Sequence, residues 1–450
     1  MALVPRREYL LLLLGDILIL AASLWVTLAL RYLEVPSMEL LTTHIVPFLI
    51  LFAVWIGVFF IAGLYGKHTR LFKSRLLATV LYTQTINVIL AALFFFLIEF
   101  FGITPKTILA IYLVVSSAGI FAWRTILFSY TKPRAKLKGV LIASGPDAQA
   151  LADEIQSGHY PFEFECVIDT KQVPPHEIIQ QACRVAEEDS LAFLVVDFTD
   201  AAFNAALPII YDAAFQKSRF ALVDITELYE EVFDRVPLSF VAYEWVLGNL
   251  ATSRVYDSLK RVVDVLLGLI AGVISLVFYP FVILAIKMDD GGDIFITQER
   301  VGLHQRPIHI KKFRSMSGND QGEYGGGGKT KLTVTRVGKW LRILRIDELP
   351  QIWNILRGDL SFVGPRPELP TLAAHYNARI PYYNARYLAT PGLTGWAQIK
   401  HDRHPHHGTD VAETKEKLSY DLFYFRHRSF MLDVFVILQT IRIVLTARGS

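Results

Sequence analysis

Apolar and polar positions are distributed along the chain in three different ways. Residues 9–30, 44–66, 77–98 and 103–123 are nearly unbroken apolar runs. Each has about the 20 residues that carry a helix across a hydrocarbon layer roughly 30 Å thick, which predicts a bundle of four transmembrane helices over residues 1–130. The first run reads as a span and not as a signal peptide, because its apolar core is long and no small-residue cleavage site precedes the second. From 137 to 250 the pattern shortens to "KGVLIASG", "FEFECVID", "LAFLVVD" and "RFALVDI", with helix-like stretches between them. That alternation predicts a Rossmann-like α/β domain on a parallel sheet. Its first strand-turn, "ASGPDAQALA", has Gly145 alone where a dinucleotide fingerprint needs three glycines, so a module that binds no dinucleotide is expected.

A fifth apolar run, "KRVVDVLLGLIAGVISLVFYPFVILAIK" at 260–287, is also long enough to span. Basic residues flank both of its ends, with Lys260 and Arg261 on one side and Lys287, Arg300, Lys311, Lys312 and Arg314 on the other. Both ends therefore carry the cytoplasmic signature. Pro280 inside the run removes a helix hydrogen bond and crowds the preceding turn. A re-entrant helix is predicted, one that enters, kinks or breaks at Pro280 and leaves by the same face, its freed backbone groups finding partners in the protein. The run 429–445, "SFMLDVFVILQTIRIVL", is interrupted by Asp433, Gln439 and Arg442 and reads as an amphipathic helix lying in the interface. Orientation follows from the short loops. Arg6 and Arg7 precede the first span, Lys67, Arg70, Lys73 and Arg75 follow the second, and Arg124, Lys132, Arg134, Lys136 and Lys138 follow the fourth, against Arg31 and Lys106 alone in the other two loops. Everything after residue 130 is expected to begin in the cytoplasm.

Composition agrees with that layout. Of 450 residues, 53% are hydrophobic and 19% charged, and the mean hydropathy is +0.37, values that place lipid around part of the chain. Asp16 is a single acid inside the first span, where a bundle-facing contact is the expectation. Cys166 and Cys183 imply neither a disulfide framework nor a zinc site. A formal charge of +3, spread evenly, gives no footprint for nucleic acid.

The chemistry gathers between 296 and 425. In "LRILRIDELPQIWN", Val337, Trp340, Leu341 and Leu344 recur at helical spacing and Pro350 stops the helix, so Asp347 and Glu348 are expected at a helix end. Adjacent residues point about 100° apart on a helix, which lets one acid attack while the other holds a metal. Around them stand "KKFRSM", "TRVGKWLR", "RGDLSFVGPRPELP", "PGLTGWAQIK" and "YDLFYF". These supply Lys and Arg for phosphate oxygens, glycines for close backbone approach to a ligand, and further acids for a divalent ion, which is the equipment of phosphoryl transfer. Neither a P-loop nor a kinase motif set occurs.

Taken in order, these motifs closely resemble the catalytic domain of the bacterial sugar transferases, the monotopic polyprenyl-phosphate phosphoglycosyl transferases. The match covers residues 255–450, and with four spans and an α/β middle domain (137–250) the chain resembles the large form of that family. The resemblance implies an enzyme of a bacterial inner membrane that passes a sugar-1-phosphate from a UDP-sugar, a hexose by analogy, to undecaprenyl phosphate at the start of exopolysaccharide, capsule or O-antigen synthesis. It implies Asp347 as the nucleophile that forms a phospho-aspartate, Glu348 as the Mg²⁺ ligand, Lys312, Arg314, Arg342 and Arg366 as phosphate-contacting or site-ordering residues, Asp421 as a further acid beside the site, and Pro280 as the re-entrant kink. Self-association is left open, as are the roles of the bundle and the α/β domain.

The chain departs from the pattern in places. "GGGGKTKLTVTRVG" has Lys331 and Thr333 where the family has an acid and an arginine, Tyr279 precedes Pro280 where a small residue is common, and glycines 325–328 suggest a loop over the site or an unstructured connection. The histidines of "KHDRHPHHG" (400–408) lack defined ligand spacing and read as a loop near sugar and nucleotide. The competing readings are a catalytically inactive scaffold of a polysaccharide assembly system, which a missing Asp347 or Glu348 would have favoured, and a transporter, for which the bundle offers one acid and no internal repeat.

Overall fold

The computed structural model describes residues 7–65, 73–97, 106–130, 136–158, 160–174, 177, 191–200, 221–249, 254–317, 333–401 and 410–445. The chain divides into two compact units, one containing the N-terminal helices and the core of the β-sheet, the other containing residues 143–151, 197–204 and 224–450. The glycine run 325–328, Lys331 and His404, His406 and His407 lie outside the described residues.

The N-terminal apolar runs form α1 (Arg7–Tyr32), α2 (Met38–Ile61), α3 (Lys73–Leu97) and α4 (Lys106–Tyr130). Their interior is aromatic: Trp55 meets Phe48 edge-on with ring centroids 5.9 Å apart and lies tilted 5.2 Å from Tyr112, and its indole donates to the Asn87 carbonyl at 2.9 Å. Side chains of Gly15 and Gly119 would collide with Trp123 and Ile19, so the absence of a Cβ sets how closely α1 and α4 approach. Asp16 is fully buried against Arg124, takes a 2.8 Å hydrogen bond from the Tyr65 hydroxyl, and leaves Arg124 to donate a second bond to the Leu64 carbonyl at 2.7 Å. The expected bundle contact is this ion pair.

The middle segment contributes β1 (Leu137–Ile142), α5 (Pro146–Ser157), β2 (Phe162–Ile168), β3 (Leu191–Val196) and β4 (Ala221–Asp224), in the sheet order β2-β1-β3-β4. Central β1 pairs in parallel with β2 and with β3. Val140, Leu141, Ile142 and Phe193–Val196 are all buried, as a central strand covered on both faces requires. After β4 come α6 (Ile225–Phe233) and α7 (Tyr243–Asn249). Here Val236, Val241 and Val246 share one core with Tyr376, Tyr383, Leu418 and Leu422, so the residues just after the sheet pack into the C-terminal helical domain.

That domain starts with α8 (Arg254–Asp289), one helix of 36 residues. Helix continues through Pro280: of the kink or break expected there, the break is absent and a kink within the helix remains compatible. A proline removes a single i→i−4 bond, and the turns around it are held by Tyr279 against Phe313 at 4.9 Å and by Val282 and Ile286 against Phe313 and Leu341. Both ends of α8 are tied to the same domain. Near its start Arg261 donates to the carbonyls of Ile355 and Leu356 at 2.5 and 2.6 Å and Asp264 accepts from the Phe362 amide at 3.1 Å; at its end Asp289 accepts from the Val337 amide at 3.0 Å. Between these points Leu266, Ile270, Val273, Leu276 and Phe281 are exposed. Among the described residues five helices, α1 to α4 and α8, are long and apolar enough to cross a membrane.

Candidate active site

Behind α8 the antiparallel hairpin of β5 (Phe295–Val301) and β6 (Pro307–Phe313) places Lys312 opposite Ile296. Strand alternation sends Lys312 inward with Ile308 and Ile310 and turns Lys311 outward. The short β7 (Met316–Ser317) and β8 (Thr333–Val334) pair next, and α9 (Arg336–Ile343) follows. Thr335 caps α9 through its hydroxyl, accepting from the Gly338 amide at 2.9 Å. A Cβ on Gly338 would lie 1.9 Å from the Ser315 carbonyl oxygen, so this glycine lets α9 press onto the link between β6 and β7.

The paired acids do not sit on α9 itself. Arg345 turns the chain through the left-handed region (φ 55°), and a 3₁₀ turn, Ile346–Gln351, carries Asp347, Glu348 and Pro350 before α10 (Ile352–Arg357) begins. A non-glycine residue with positive φ is uncommon and carries a backbone cost. Glu348 lies among three cations: Arg345 Nη1 at 3.5 Å, Arg366 Nη2 at 3.8 Å and Lys312 Nζ at 4.0 Å. Burial alone would raise its carboxyl, but Lys312, Arg366 and Arg345 outweigh burial and hold it below the usual range. Asp347 goes the other way. Burial first, then the Glu348 charge, push it up to about 6 against the pull of Lys312, Arg342 and Arg345. Burial and the neighbouring Arg366 and Arg300 bring the Lys312 ammonium down to about 8 although Glu348 opposes them.

Arg366 enters from the "GPRP" loop after β9 (Ser361–Val363) and is half exposed, at 47%. The sequence reading gave the glycines of this loop and of "PGLTG" to ligand approach, and for Gly364 and Gly392 the structure corrects it. A Cβ on Gly392 would lie 2.1 Å from the Gly364 amide nitrogen and one on Gly364 would lie 2.3 Å from the Thr390 carbonyl. These glycines let two backbones touch, joined by Gly364 N to Thr394 O and Gly392 N to Pro365 O, both 2.9 Å, and so fix the loop that presents Arg366.

Of the remaining residues named from sequence, Arg342 borders the centre, and Arg314 and Asp421 fall farther out. Arg342 contributes its charge to Asp347 and donates to the Met316 sulfur at 3.2 Å. Arg314 is engaged elsewhere, with Asp290 at 2.7 Å and the Met316 carbonyl at 3.1 Å. Asp421, 2% exposed, pairs with Arg386 at 2.9 Å, and Arg386 in turn donates to the backbone carbonyl of Arg366 at 3.1 Å. Asp421 thus stands behind the Arg366 loop. Sequence reasoning did not single out Arg345, whose role depends on its left-handed backbone, nor Arg386 and Glu368, which meet at 3.9 Å beneath the same loop.

The centre holds Lys312, Arg342, Arg345 and Arg366 against Asp347 and Glu348, an excess of positive charge that complements a diphosphate. Among the described residues no group of three or more His, Cys, Asp and Glu side chains forms a metal cage. A site with two neighbouring carboxylates still fits Mg²⁺, which binds through one or two carboxylates plus substrate phosphates and retained water. What the fold and site define is a pair of carboxylates in a surplus of cations beside a long apolar helix.

The bacterial sugar transferase profile matches residues 255–447. The chain is 37% identical over 233 residues to the UDP-N-acetylgalactosamine-undecaprenyl-phosphate N-acetylgalactosaminephosphotransferase of Aeromonas hydrophila, covering 50% of this chain and 52% of that one. It is 40% identical over 199 residues to the UDP-glucose:undecaprenyl-phosphate glucose-1-phosphate transferase of Caulobacter vibrioides, covering 43% of this chain and 72% of that one. With the exopolysaccharide production protein PSS of Rhizobium leguminosarum bv. phaseoli it shares 36% identity over 199 residues, 43% of this chain and 97% of the other. The match to the Aeromonas relative spans about half of that protein's length. The chain belongs to the bacterial sugar transferase family.

Proposed function

We propose that this chain transfers a sugar-1-phosphate, a hexose phosphate first, from a UDP-sugar to undecaprenyl phosphate, yielding polyprenyl-diphospho-sugar and UMP as the first membrane step of exopolysaccharide or O-antigen synthesis. The observation that carries the reading is the Asp347–Glu348 turn ringed by Lys312, Arg342, Arg345 and Arg366 in a member of this family.

In the first displacement an Asp347 carboxylate oxygen bonds to the β-phosphorus of the donor, the bond from that phosphorus to the bridging oxygen breaks, and the electron pair leaves with UMP. In the second, an oxygen of the lipid phosphate attacks the same phosphorus and Asp347 departs as carboxylate. Two displacements let a soluble nucleotide and a membrane lipid use one site in turn. With its carboxyl raised to about 6, Asp347 is mostly ionised at pH 7, as a nucleophile must be. Lys312, Arg345 and Arg366 neutralise the charge that builds on the phosphoryl oxygens, which supplies much of the acceleration in this chemistry. Glu348 would hold Mg²⁺, which neutralises the diphosphate when bound.

In this reading α1 to α4 are four transmembrane spans of a bacterial inner membrane, the sheet is a Rossmann-like cytoplasmic domain, and α8 enters and leaves by the cytoplasmic face. The attachment of both α8 ends to one domain supports that placement. The test uses the full chain in nanodiscs with Mg²⁺, undecaprenyl phosphate and a panel of UDP-sugars, reading UMP. Lipid-dependent UMP release from one donor supports the reading and names the sugar; folded protein inert with every donor favours the scaffold instead.

A further inference from the structure

The outward face of the hairpin carries a second basic feature, separate from the centre just described. Lys311 points away from Lys312 across the pleat of β6. Beside it, Trp353 and Arg357 lie four residues apart on α10 and so share one face of that helix, both exposed. Together with Asn354 they line an open pocket of about 260 Å³.

Asn354 builds the floor. Its amide donates to the His309 carbonyl at 2.8 Å and to Asp359 at 3.1 Å, and its side-chain oxygen faces the Lys311 amide at 3.4 Å. Among the described residues neither Lys311 nor Arg357 forms an ion pair. α10 meets α8 through Ile352 and Leu356, admitted by Gly272 and Gly268, and through Trp353, whose indole reaches the Tyr279 hydroxyl. Two free cations and an exposed indole therefore flank the helix that shows Ile270, Val273 and Val277 to its surroundings. Indoles favour the headgroup level of a bilayer, where one side is apolar and the other wet, and basic residues there attract anionic lipid.

We propose that this pocket binds the headgroup phosphate of an anionic membrane phospholipid between Lys311 and Arg357, with the glycerol and upper acyl chain against the Trp353 ring. The site needs neither UDP-sugar nor Asp347, so it stands or falls independently of the catalytic reading. A lipid held there fixes the rotation of α8 and α10 in the bilayer plane, because it ties a polar anchor to one side of the helix pair.

The test uses full-length protein in nanodiscs containing graded fractions of dibromo-phosphatidylglycerol or dibromo-phosphatidylcholine. The Trp353 signal is taken as the fluorescence difference between the wild type and Trp353→Phe. The expected result is quenching of that signal by the anionic lipid at about a tenfold lower mole fraction than by the zwitterionic one, a preference lost in Lys311→Gln/Arg357→Gln. Unchanged melting of that double variant in phosphatidylcholine shows that it is folded. Equal quenching by the two lipids, or a preference that survives the double substitution, overturns the proposal. So does displacement of the phosphatidylglycerol by one equivalent of undecaprenyl phosphate, which would give the pocket to the acceptor lipid.

Discussion

Two regions of this molecule set an acid beside an arginine in apolar surroundings, and they do it differently. In the N-terminal bundle Asp16 and Arg124 are both fully buried and in direct contact, with Tyr65 and the Leu64 carbonyl as further partners. In the catalytic domain Glu348 meets its three cations only at 3.5 to 4.0 Å, Arg366 is half exposed, and positive charge is in excess. A contact pair in a closed interior works as a joint, since its charges cancel and no ligand can reach them. A looser cluster with surplus charge is prepared for an anion that arrives from outside. The distances and the charge balance, more than the residue types, separate structure from chemistry.

The largest effect that sharpens this contrast is expected at Asp347. Asp347→Asn should lower UMP production by about 10⁴-fold with unchanged melting, measured by a coupled UMP assay; equal activity would remove Asp347 from the nucleophile's role. In the bundle, Arg124→Leu leaves Asp16 buried and alone and should cost about 3–5 kcal/mol of stability, read from unfolding in detergent. Replacing both partners, Asp16→Leu with Arg124→Met, should recover most of that loss. Lys312→Met comes next. It should reduce turnover by about 10²-fold while leaving the melting temperature nearly unchanged, the reverse of the bundle variant's profile.

The smallest effect is in pH. Because the Asp347 carboxyl is raised to about 6, the ionised nucleophile is present above that value and lost as pH falls through it. Turnover should therefore drop below about pH 6, and raising Mg²⁺ should move this acid limb to lower pH, since an added cation favours the carboxylate. A profile flat from pH 5 to 8 would contradict the burial that the site imposes on Asp347.

Much of this was legible in the chain's pattern. The apolar runs gave the long N-terminal helices to within a few residues at most ends, and helical spacing placed Val337, Trp340 and Leu341 on α9. Those signals are periodic and local. For Pro280 the pattern gave a kink or a break; helix continues through it, and a local rule about one missing hydrogen bond cannot see Phe313 and Leu341 holding the neighbouring turns. Arg314 looked equivalent to Lys312 in "KKFRSM", yet it lies just past the end of β6 and pairs with Asp290 instead. The glycines of "GPRP" and "PGLTG" were visible as residues, but what each one touches depends on a contact between segments about thirty residues apart. Arg345 was hidden for a similar reason: nothing in "LRILRIDELP" announces a left-handed turn that swings an arginine back onto Glu348.

The central claim is that Asp347 carries the phosphoryl group between two substrates. The direct measurement mixes purified full-length protein with Mg²⁺ and its UDP-sugar in the absence of lipid, follows UMP, and weighs the peptide containing Asp347. The account predicts one equivalent of UMP per active site and a sugar-phosphate mass added at Asp347, discharged when undecaprenyl phosphate is supplied. UMP that forms only once the lipid is present, with no mass added to that peptide, would contradict it and point to direct attack of the lipid on the donor.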